Sequence, residues 1–600
     1  MSTLHTLDPG GFAPAVRPRL RSRGPHAPLR SGGRACGALP RCRGRAAVLL
    51  AAAAVLCAAA VSARSPRFYP DDPIAREPEP LDASNAKPYF MGDMYEMTVN
   101  LFATSRYKPS GTRAQNINTI DEVPDSSWFT NRIGTTAVSI PDLVRGPNMG
   151  APPDPSRWVV FREKTSGVHP GFTAKDAKGE TWFLEFDPPY FPEGATGALQ
   201  IATKIFWALG YNQVETFLTT FDPKRVEFDP KATIRRPSAA RTRFTQDDVN
   251  AILERVAKRA DGTYRVVAGR LIPGKILGGF LYDGTRPDDP NDIVPHEHRR
   301  ELRALHVFGA WTNLTDLKAK NTLDALITVN GRSLVKHYLQ DVGSTFGMCN
   351  DLHEWDLSYE HFVQGDTTWR RLFSFGFALS PWQTIPYVEY PSIGKFEGDH
   401  FDPRAWRPQT PTTAYLETRD DDAFWAARRV AAFTDEMIRA VVHTGEYSDP
   451  EAEKYLADVL IKRRDKVTRT YLPAVNPVVS PRLDGSGRLT FENAAFAAAA
   501  ASGPAAYRAA WFRFDNTTGE VQAIAETRST TTTMEAPGSL PATPGGFVGA
   551  DISVESEGHP SWRQPARIVF RRDGDRWTLV GLERLPEKLP GNEAAPPPSR

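Results

Sequence analysis

Residues 311–347, WTNLTDLKAKNTLDALITVNGRSLVKHYLQDVGSTFG, decide the fold that we predict for this chain. Before Asn330 the segment alternates apolar and polar residues as a β-strand does, and residues 334–339 form a second strand-like arm. Asn330-Gly331 between the arms is typical of a type I′ turn, because both residues tolerate the positive φ angles that this turn needs. The stretch therefore predicts an antiparallel hairpin over residues 323–339.

The hairpin register places polar side chains together at its open end. Asn321 falls opposite Gln340 and beside Asp341, and Asp316 lies in the loop that enters the first arm. Mg²⁺ prefers oxygen ligands and usually takes one or two carboxylates plus substrate phosphates. A further carboxylate nearby could accept a proton from an attacking hydroxyl. The alternative is an ordinary polar hairpin whose Asn and Asp residues cap turns.

The spacing D-x-x-x-x-N, then a hairpin, then D-x-G resembles the catalytic loop and metal-binding segment of the protein-kinase-like superfamily. The resemblance implies that Asp316 is the catalytic base, Asn321 a metal ligand and Asp341 the principal metal ligand, with Mg²⁺ and ATP as cofactors. D-V-G-S replaces D-F-G, and no His-Arg precedes Asp316. These departures point to the atypical HipA-like and lipid-kinase-like branches.

The segment upstream has the element order of a kinase-like N-lobe. Hydrophobic patterns predict strands, a loop and a helix that ends at Gly210. The predicted order is a strand at 157–161, a loop at 164–171, strands at 172–176 and 181–186, and a helix at 195–209. Gly167 and Gly171 in the loop could cover phosphates, and a plain hairpin loop is the alternative.

Two stretches resemble a group of exported, largely uncharacterised bacterial proteins of HipA-like type. They are GFTAKDAKGETWFLEFDPPYFPEGATGALQIATKIFWALGYNQVE at 171–215 and GTRPDDPNDIVPHEHRRELRALHVFGAW at 284–311. The resemblance extends over residues 157–477.

Kinase-like folds place a Lys on the third strand and a Glu on the helix, and together these hold the nucleotide phosphates. Here those positions fall on Glu185 and Leu199. Lys175 and Lys204 are candidate substitutes for the missing Lys, and the alternative for both is a solvated surface Lys.

The remaining patterns complete a fold class of α+β, a two-lobed kinase-like domain followed by a small all-β, sandwich-like domain. Helices are predicted at 245–260, 296–311, 421–443 and 450–468. The predicted domains are a leader at 1–64, an irregular lead-in at 65–156, an N-lobe at 157–279, a C-lobe at 280–477, the β domain at 482–590 and a tail at 591–600. Residues 221–241 and 473–481 are expected to be connections.

The N-terminus predicts export. An apolar run at 46–61 follows an Arg-rich stretch, and Val61-Ser62-Ala63 resembles a signal-cleavage site. An uncleaved membrane anchor and a buried Ala-rich helix are the alternatives. Cleavage would leave Cys349 as the one cysteine of the mature chain, which excludes an internal disulfide and a zinc site built on several cysteines.

The composition limits the classes of binding partner that we expect. The formal net charge of +2 gives no reason to expect a polyanion, and we see no nucleic-acid-binding pattern. His296 and His298 stand two apart and would diverge on a helix, so they do not predict a metal site.

Two function classes follow. The first is an exported, periplasmic or cell-envelope phosphotransferase that uses ATP and Mg²⁺ and acts on an unknown acceptor. The second is a pseudokinase-type module that binds a nucleotide, a metal or an envelope component without transfer.

Overall fold

The computed structural model describes residues 66–74, 80–89, 98, 107–164, 169–235, 241–348, 359–361, 364–538, 540–541 and 543–585. The predicted signal run, Gly167, Cys349 and the C-terminal tail lie outside the described residues. Residues from Arg64 onward belong to one structural unit.

A six-stranded sheet forms the N-terminal part of the described chain. Its strands are β1 (Trp158–Glu163), β2 (Gly171–Lys175), β3 (Thr181–Phe186), β4 (Thr216–Phe221), β5 (Val226–Phe228) and, after a two-stranded ribbon of β6 (Thr233–Arg235) and β7 (Arg241–Arg243), β8 (Tyr264–Arg270). The spatial order is β4-β8-β3-β2-β1-β5, and the neighbours pair antiparallel except β1 and β5.

Strand alternation gives this sheet a core face and a cleft face. Three helices belong to this region: α1 (Ile140–Arg145), α2 (Gly194–Leu209) and α3 (Gln246–Leu253). On β3, Leu184 and Phe186 are buried in a core that includes residues of α3. The intervening Phe183 and Glu185 point the other way because successive strand side chains alternate between faces. Glu185 is thereby directed into the cleft.

The predicted hairpin is present in the predicted register. It is built from β10 (Thr322–Val329) and β11 (Arg332–Leu339), and β9 (Lys275–Gly278) joins it to give the order β11-β10-β9. Thr322 pairs with Leu339 at the open end. Asn330 and Gly331 have φ angles of 49° and 79°, as a type I′ turn requires.

Helices precede and follow the hairpin in the chain. They are α4 (Arg300–Arg303), α5 (Leu305–Thr312), α6 (Gly365–Phe373), α7 (Thr413–Leu416), α8 (Asp420–Ala431), α9 (Asp435–His443) and α10 (Pro450–Tyr471). Trp311 at the end of α5 is fully buried, and its Nε1 donates a 3.0 Å hydrogen bond to the Leu460 carbonyl of α10. This contact joins the segment just before the Asp316 loop to α10, the longest helix among the described residues.

The C-terminal region consists mainly of β-strands, with one short α-helix and a 3₁₀ helix at Pro560–Arg563. It contains β12 (Val478–Leu483), β13 (Arg488–Asn493), α11 (Ala494–Ala497), β14 (Ala505–Phe514), β15 (Val521–Ser529), β16 (Thr533–Glu535), β17 (Phe547–Ser556), β18 (Ala566–Asp573) and β19 (Arg576–Glu583). Two sheets form, in the orders β12-β13-β16 and β15-β14-β17-β18-β19. Their apolar residues are continuous with the core of the helical region. The predicted fold class of α+β, followed by a C-terminal region of β-strands, is confirmed.

Several predicted element boundaries are wrong. The helix expected at 296–311 is a 3₁₀ turn at His296–His298 followed by two helices, because Arg299 is extended at φ −88° and ψ 123°. The helix expected at 421–443 is two helices, since Thr434 begins α9 by accepting a hydrogen bond from the Met437 amide.

Three further boundaries differ. The helix predicted at 245–260 ends at Leu253, and the Ala257 amide beyond it donates to the Asp187 carbonyl. The connections expected at 221–241 and 473–481 contain β5, β6 and the start of β12. Within the described residues, no helix combines the length and the apolar character that a membrane span needs.

Candidate functional site

A polar cleft cavity of about 410 Å³ lies between the six-stranded sheet and the hairpin. Glu185, Asp316, Asn321 and Asp341, which the sequence predicted as site residues, all line it. Leu199, at the position where the helical acid was expected, lines it too. The fold therefore brings these predicted residues together from β3, α2, the loop that contains Asp316 and the end of the hairpin.

The hairpin end fixes Asn321 and Asp341 side by side. The Asn321 carbonyl accepts hydrogen bonds from the amides of Gln340 and Asp341, at 3.1 Å and 3.0 Å. The Asn321 Nδ2 donates at 2.9 Å to the carbonyl of Asp316. Because the amide nitrogen is used to hold the loop, the Asn321 Oδ1 is the atom that remains to act as a metal ligand.

Asp341 sits among other carboxylates. Burial raises its pKa, and the negative charges of Glu185 and Asp316 raise it further, although the Lys164 ammonium opposes them. Solvent reaches the side chain through the cleft. A divalent cation bound at this carboxylate would reduce the repulsion between the neighbouring negative charges.

Asp316 is paired with a lysine that sequence reasoning missed. The Lys318 Nζ donates a 2.7 Å hydrogen bond to the Asp316 Oδ2. Lys318 and Lys320 both line the cavity. The available signal was the spacing, because a residue two positions along an extended loop returns to the same side.

Glu185 is also paired with a cation that sequence reasoning missed. The Lys164 Nζ lies 2.9 Å from the Glu185 Oε1, and both side chains are mostly buried. Burial alone would raise the pKa of Glu185, but the Lys164 ammonium lowers it below the ordinary value. A Lys–Glu pair therefore occupies the cleft, with the Glu on the third strand and the Lys just after the first.

Gly171 makes room for this pair. It lies on β2 opposite Glu185, and its carbonyl accepts a hydrogen bond from the Lys164 amide at 2.9 Å. A Cβ added there would stand 2.3 Å from the Leu184 carbonyl oxygen and 3.1 Å from the Lys164 Cδ. The lysine stem can cross this point only because residue 171 has no side chain.

The two candidate substitute lysines do not line the cavity. Lys175 is an exposed residue at the end of β2. Lys204 is buried in α2, where it packs against Gly146, and burial lowers its pKa to about 8. Lys164 lines the cavity in place of Lys175 and Lys204.

An apolar pocket of about 210 Å³ adjoins the polar cavity and shares Glu185, Leu199, Val267, Gln340 and Asp341 with it. Its other walls come from the face of β3, the end of β8 and the hairpin, and they include Phe183, Val214, Leu271, Ile272, Ile276 and Leu323. Phe183 and Leu271 are 43% and 44% exposed, so both offer apolar surface to a ligand in this pocket.

The donor set suits a magnesium ion that is completed by substrate. Among the described residues, no group of three or more His, Cys, Asp or Glu side chains converges as a metal site. One carboxylate and one amide oxygen, from Asp341 and Asn321, match an ion that keeps water and phosphate ligands. The residues present therefore fit Mg²⁺ bound together with a nucleotide better than a closed protein cage.

The chain has few detectable similarities to known proteins. No protein-family model matches the chain, and no curated protein matches it. Two solved structures of the Golgi casein kinase, one with Mn and ADP bound, are each 10% identical and cover 66% of this chain. The matches span 94% and 96% of those chains, with TM-scores of 0.28 and 0.27. TM-scores this low carry no function from those enzymes to this chain.

Proposed function

We propose that this chain is an exported, atypical kinase-like protein of the HipA-like or lipid-kinase-like kind, which binds a nucleotide with Mg²⁺ and transfers a phosphoryl group to an acceptor. The observation that carries the proposal is the joined pair of pockets, one polar and one apolar, with Asp316, Asn321 and Asp341 in the polar one. A nucleotide has the same division between an apolar base and charged phosphates.

Each part of the double pocket has a role in this proposal. The apolar pocket takes the base between side chains of β3, β8 and the hairpin. Asp341 and Asn321 supply oxygen ligands to Mg²⁺, which when bound neutralises phosphate charge. Asp316 accepts the proton of the acceptor hydroxyl, and the hydrogen bond from Lys318 keeps its carboxylate oriented.

Calorimetric titration of the protein with ATP, with and without Mg²⁺, tests the binding part. We expect binding that depends on Mg²⁺ and that is lost in Asp341→Asn. Asp247→Asn is the matched control, since Asp247 is an exposed residue of α3 that lines neither pocket. Absence of nucleotide binding under both conditions would refute the proposal.

Asp316→Asn separates transfer from binding. It should keep Mg²⁺-dependent nucleotide affinity and stop phosphoryl transfer, measured as γ-phosphate release or incorporation into acceptor. Removal of a general base of this kind typically lowers the rate by ~10²–10⁴-fold. Unchanged turnover in Asp316→Asn would show that another group accepts the proton.

A binding module without transfer is the second candidate. It is favoured by the carboxylates of Glu185, Asp316 and Asp341 in one cavity, because their charges repel phosphates unless a metal is present. In that case the wild-type protein binds nucleotide with Mg²⁺ but shows no phosphoryl transfer with any acceptor. Asp316→Asn then has the same affinity for nucleotide as the wild type and the same lack of transfer.

A further inference from the structure

A second polar pocket, of about 250 Å³, lies at the C-terminal end of β8 and is lined by Gln213. We call it the Gln213 pocket. Asp316, Asn321 and Asp341 do not line it, so it is distinct from the polar cavity of the cleft. It adjoins the apolar pocket, with which it shares Val214, Arg270, Leu271 and Ile272. Its remaining walls come from α2, the segment before β4, and β11, and its charged and aromatic members are Arg132, Trp207, Glu215, Arg270, Lys336 and Tyr338.

Gln213 is buried without partners. The residue is only 7% exposed, and neither its Nε2 nor its Oε1 has a hydrogen-bond partner within the described chain. A buried amide with both ends unsatisfied destabilises the folded protein, so such groups are rare unless a ligand or water supplies the hydrogen bonds. The amide offers one donor site and one acceptor site to whatever enters the pocket.

Two cations of the pocket lack a counter-charge there. Arg132 donates to the Trp207 carbonyl at 2.7 Å and stacks on the Trp207 ring, and no carboxylate lies within ion-pair distance of it in the described chain. Lys336 lies over the Tyr338 ring and has no hydrogen bond or ion pair to another described residue. Burial lowers the pKa of Lys336, and the Arg132 charge lowers it further.

The one carboxylate of the pocket is already used. Glu215 forms a 2.8 Å ion pair with Arg270, and its Oε1 accepts from the amides of Met149 and Gly150. The Arg270 guanidinium also pairs with Glu180 at 2.8 Å. What remains open is therefore two positive charges and one amide, which is the complement of an anion.

We propose that the Gln213 pocket binds a phosphate group, with its oxygens held by Lys336, Arg132 and the Gln213 Nε2, and with its hydroxyl donating to the Gln213 Oε1. A phosphate at neutral pH carries both ionised oxygens and a P–OH donor. Sulfate has the same shape but no donor, and so leaves the Gln213 Oε1 unsatisfied. The pocket is too small for a large polyanion and admits inorganic phosphate or the terminal group of a small phosphate ester.

The test is calorimetric titration of the full protein with inorganic phosphate and with sulfate at matched ionic strength. We expect phosphate to bind about tenfold or more tightly than sulfate, because only phosphate satisfies both ends of the amide. Glycerol phosphate as a third titrant distinguishes a free phosphate ligand from an ester, since an enclosed end of the pocket would reject the ester.

Variants locate the binding. Lys336→Met should weaken phosphate binding about tenfold or more, as loss of a charge-assisted hydrogen bond does. Lys275→Met is the matched control, because Lys275 is an exposed lysine of the same three-stranded sheet that does not line the pocket. Gln213→Leu should raise the melting temperature of the phosphate-free protein and abolish the preference for phosphate over sulfate.

Three results would overturn the proposal. They are no phosphate binding to the wild type, phosphate binding that Lys336→Met leaves unchanged, and equal affinity for phosphate and sulfate. The Gln213→Leu variant guards against misfolding as an explanation, since its expected stability is higher and not lower than that of the wild type.

Discussion

Lys164 and Glu185 form a charge pair in the cleft, and in the proposed function this pair faces the phosphates of the nucleotide. The sequence located Glu185 by its position in β3, but it did not reveal Lys164, which lies far from it in number and reaches it across Gly171. In the structure the two charges offset each other, so the Lys164 ammonium interacts with Glu185 and is not available to a phosphate. Any change that releases it alters the electrostatics of the polar cavity.

We predict that Glu185→Gln strengthens Mg²⁺–ATP binding. The substitution removes a negative charge from the cavity and frees the Lys164 ammonium for a phosphate oxygen, a gain of roughly tenfold in affinity for a hydrogen bond between charged groups. Lys164→Met should act in the opposite direction, because it leaves Glu185 unpaired. Calorimetry on both single variants and the double variant measures the coupling, and equal affinities in all four proteins would contradict the assigned role.

A second prediction at this scale concerns pH. The pKa of Asp341 is raised by burial and by the charges of Glu185 and Asp316. A metal ligand must be ionised, so Mg²⁺-dependent nucleotide affinity should rise as the pH increases through this raised pKa and then level off. Affinity measured from acidic to neutral pH checks this, and Asp247→Asn should keep the same profile. A profile with its midpoint at or below that of an ordinary aspartate would be inconsistent with Asp341 as the ligand.

At the scale of elements, the hairpin shows what local sequence can determine. Asn330-Gly331 specifies the turn, the turn sets the register, and the register alone brings Asn321 beside Asp341. The broken helices at 296–312 and 420–443 show the limit. Their apolar spacing continues across the break, and the interruption comes from a capping side chain and an extended Arg299. Where such a helix is interrupted depends on capping and tertiary contacts, and the hydrophobic pattern alone does not reveal it.

Strand β2 gives a prediction at the same scale. Gly171→Ala should destabilise the protein by about 1–3 kcal/mol, because a methyl group would stand 2.3 Å from the Leu184 carbonyl oxygen. It should also weaken nucleotide binding by displacing the stem of Lys164. Gly269→Ala in the neighbouring β8 is the control for stability, since the nearest atom to its added Cβ is 3.8 Å away. Equal unfolding free energies for the two variants would show that β2 tolerates the extra atom.

For the whole molecule, the sequence predicted the succession of a kinase-like α+β region and an all-β region, but not how tightly they join. Composition marks strands and turns, whereas a buried network of charges depends on residues distant in number. Asp121 is the meeting point. It pairs with Arg113 of the lead-in and Arg300 of α4, both at 2.8 Å, and its other oxygen is 3.6 Å from Arg584, which follows β19.

We therefore predict that Asp121→Asn destabilises the chain as a whole. Asn keeps the shape and tolerates the left-handed φ of 65° at this position, so the change tests charge and not backbone strain. Arg584 is fully buried, and within the described residues Asp121 is the one carboxylate in ion-pair distance of it, so the substitution leaves a buried charge uncompensated, which typically costs ~3–5 kcal/mol. Arg300 is also fully buried but keeps Asp421 and Asp422 as ion-pair partners. In denaturant unfolding followed by tryptophan fluorescence, the midpoint should move to a lower denaturant concentration, and the curve should still show one transition.

The pH dependence of unfolding follows from the same residue. Burial opposes ionisation of Asp121, but the Arg300, Arg113 and Arg584 charges outweigh it and lower the pKa. A carboxyl whose folded pKa is depressed contributes stability above its unfolded pKa and loses it as the pH falls through the folded value. Wild-type stability should therefore fall in acid more steeply than that of Asp121→Asn. Parallel pH profiles for the two proteins, or a separate early transition of the β region, would mean that Asp121 does not join the regions energetically.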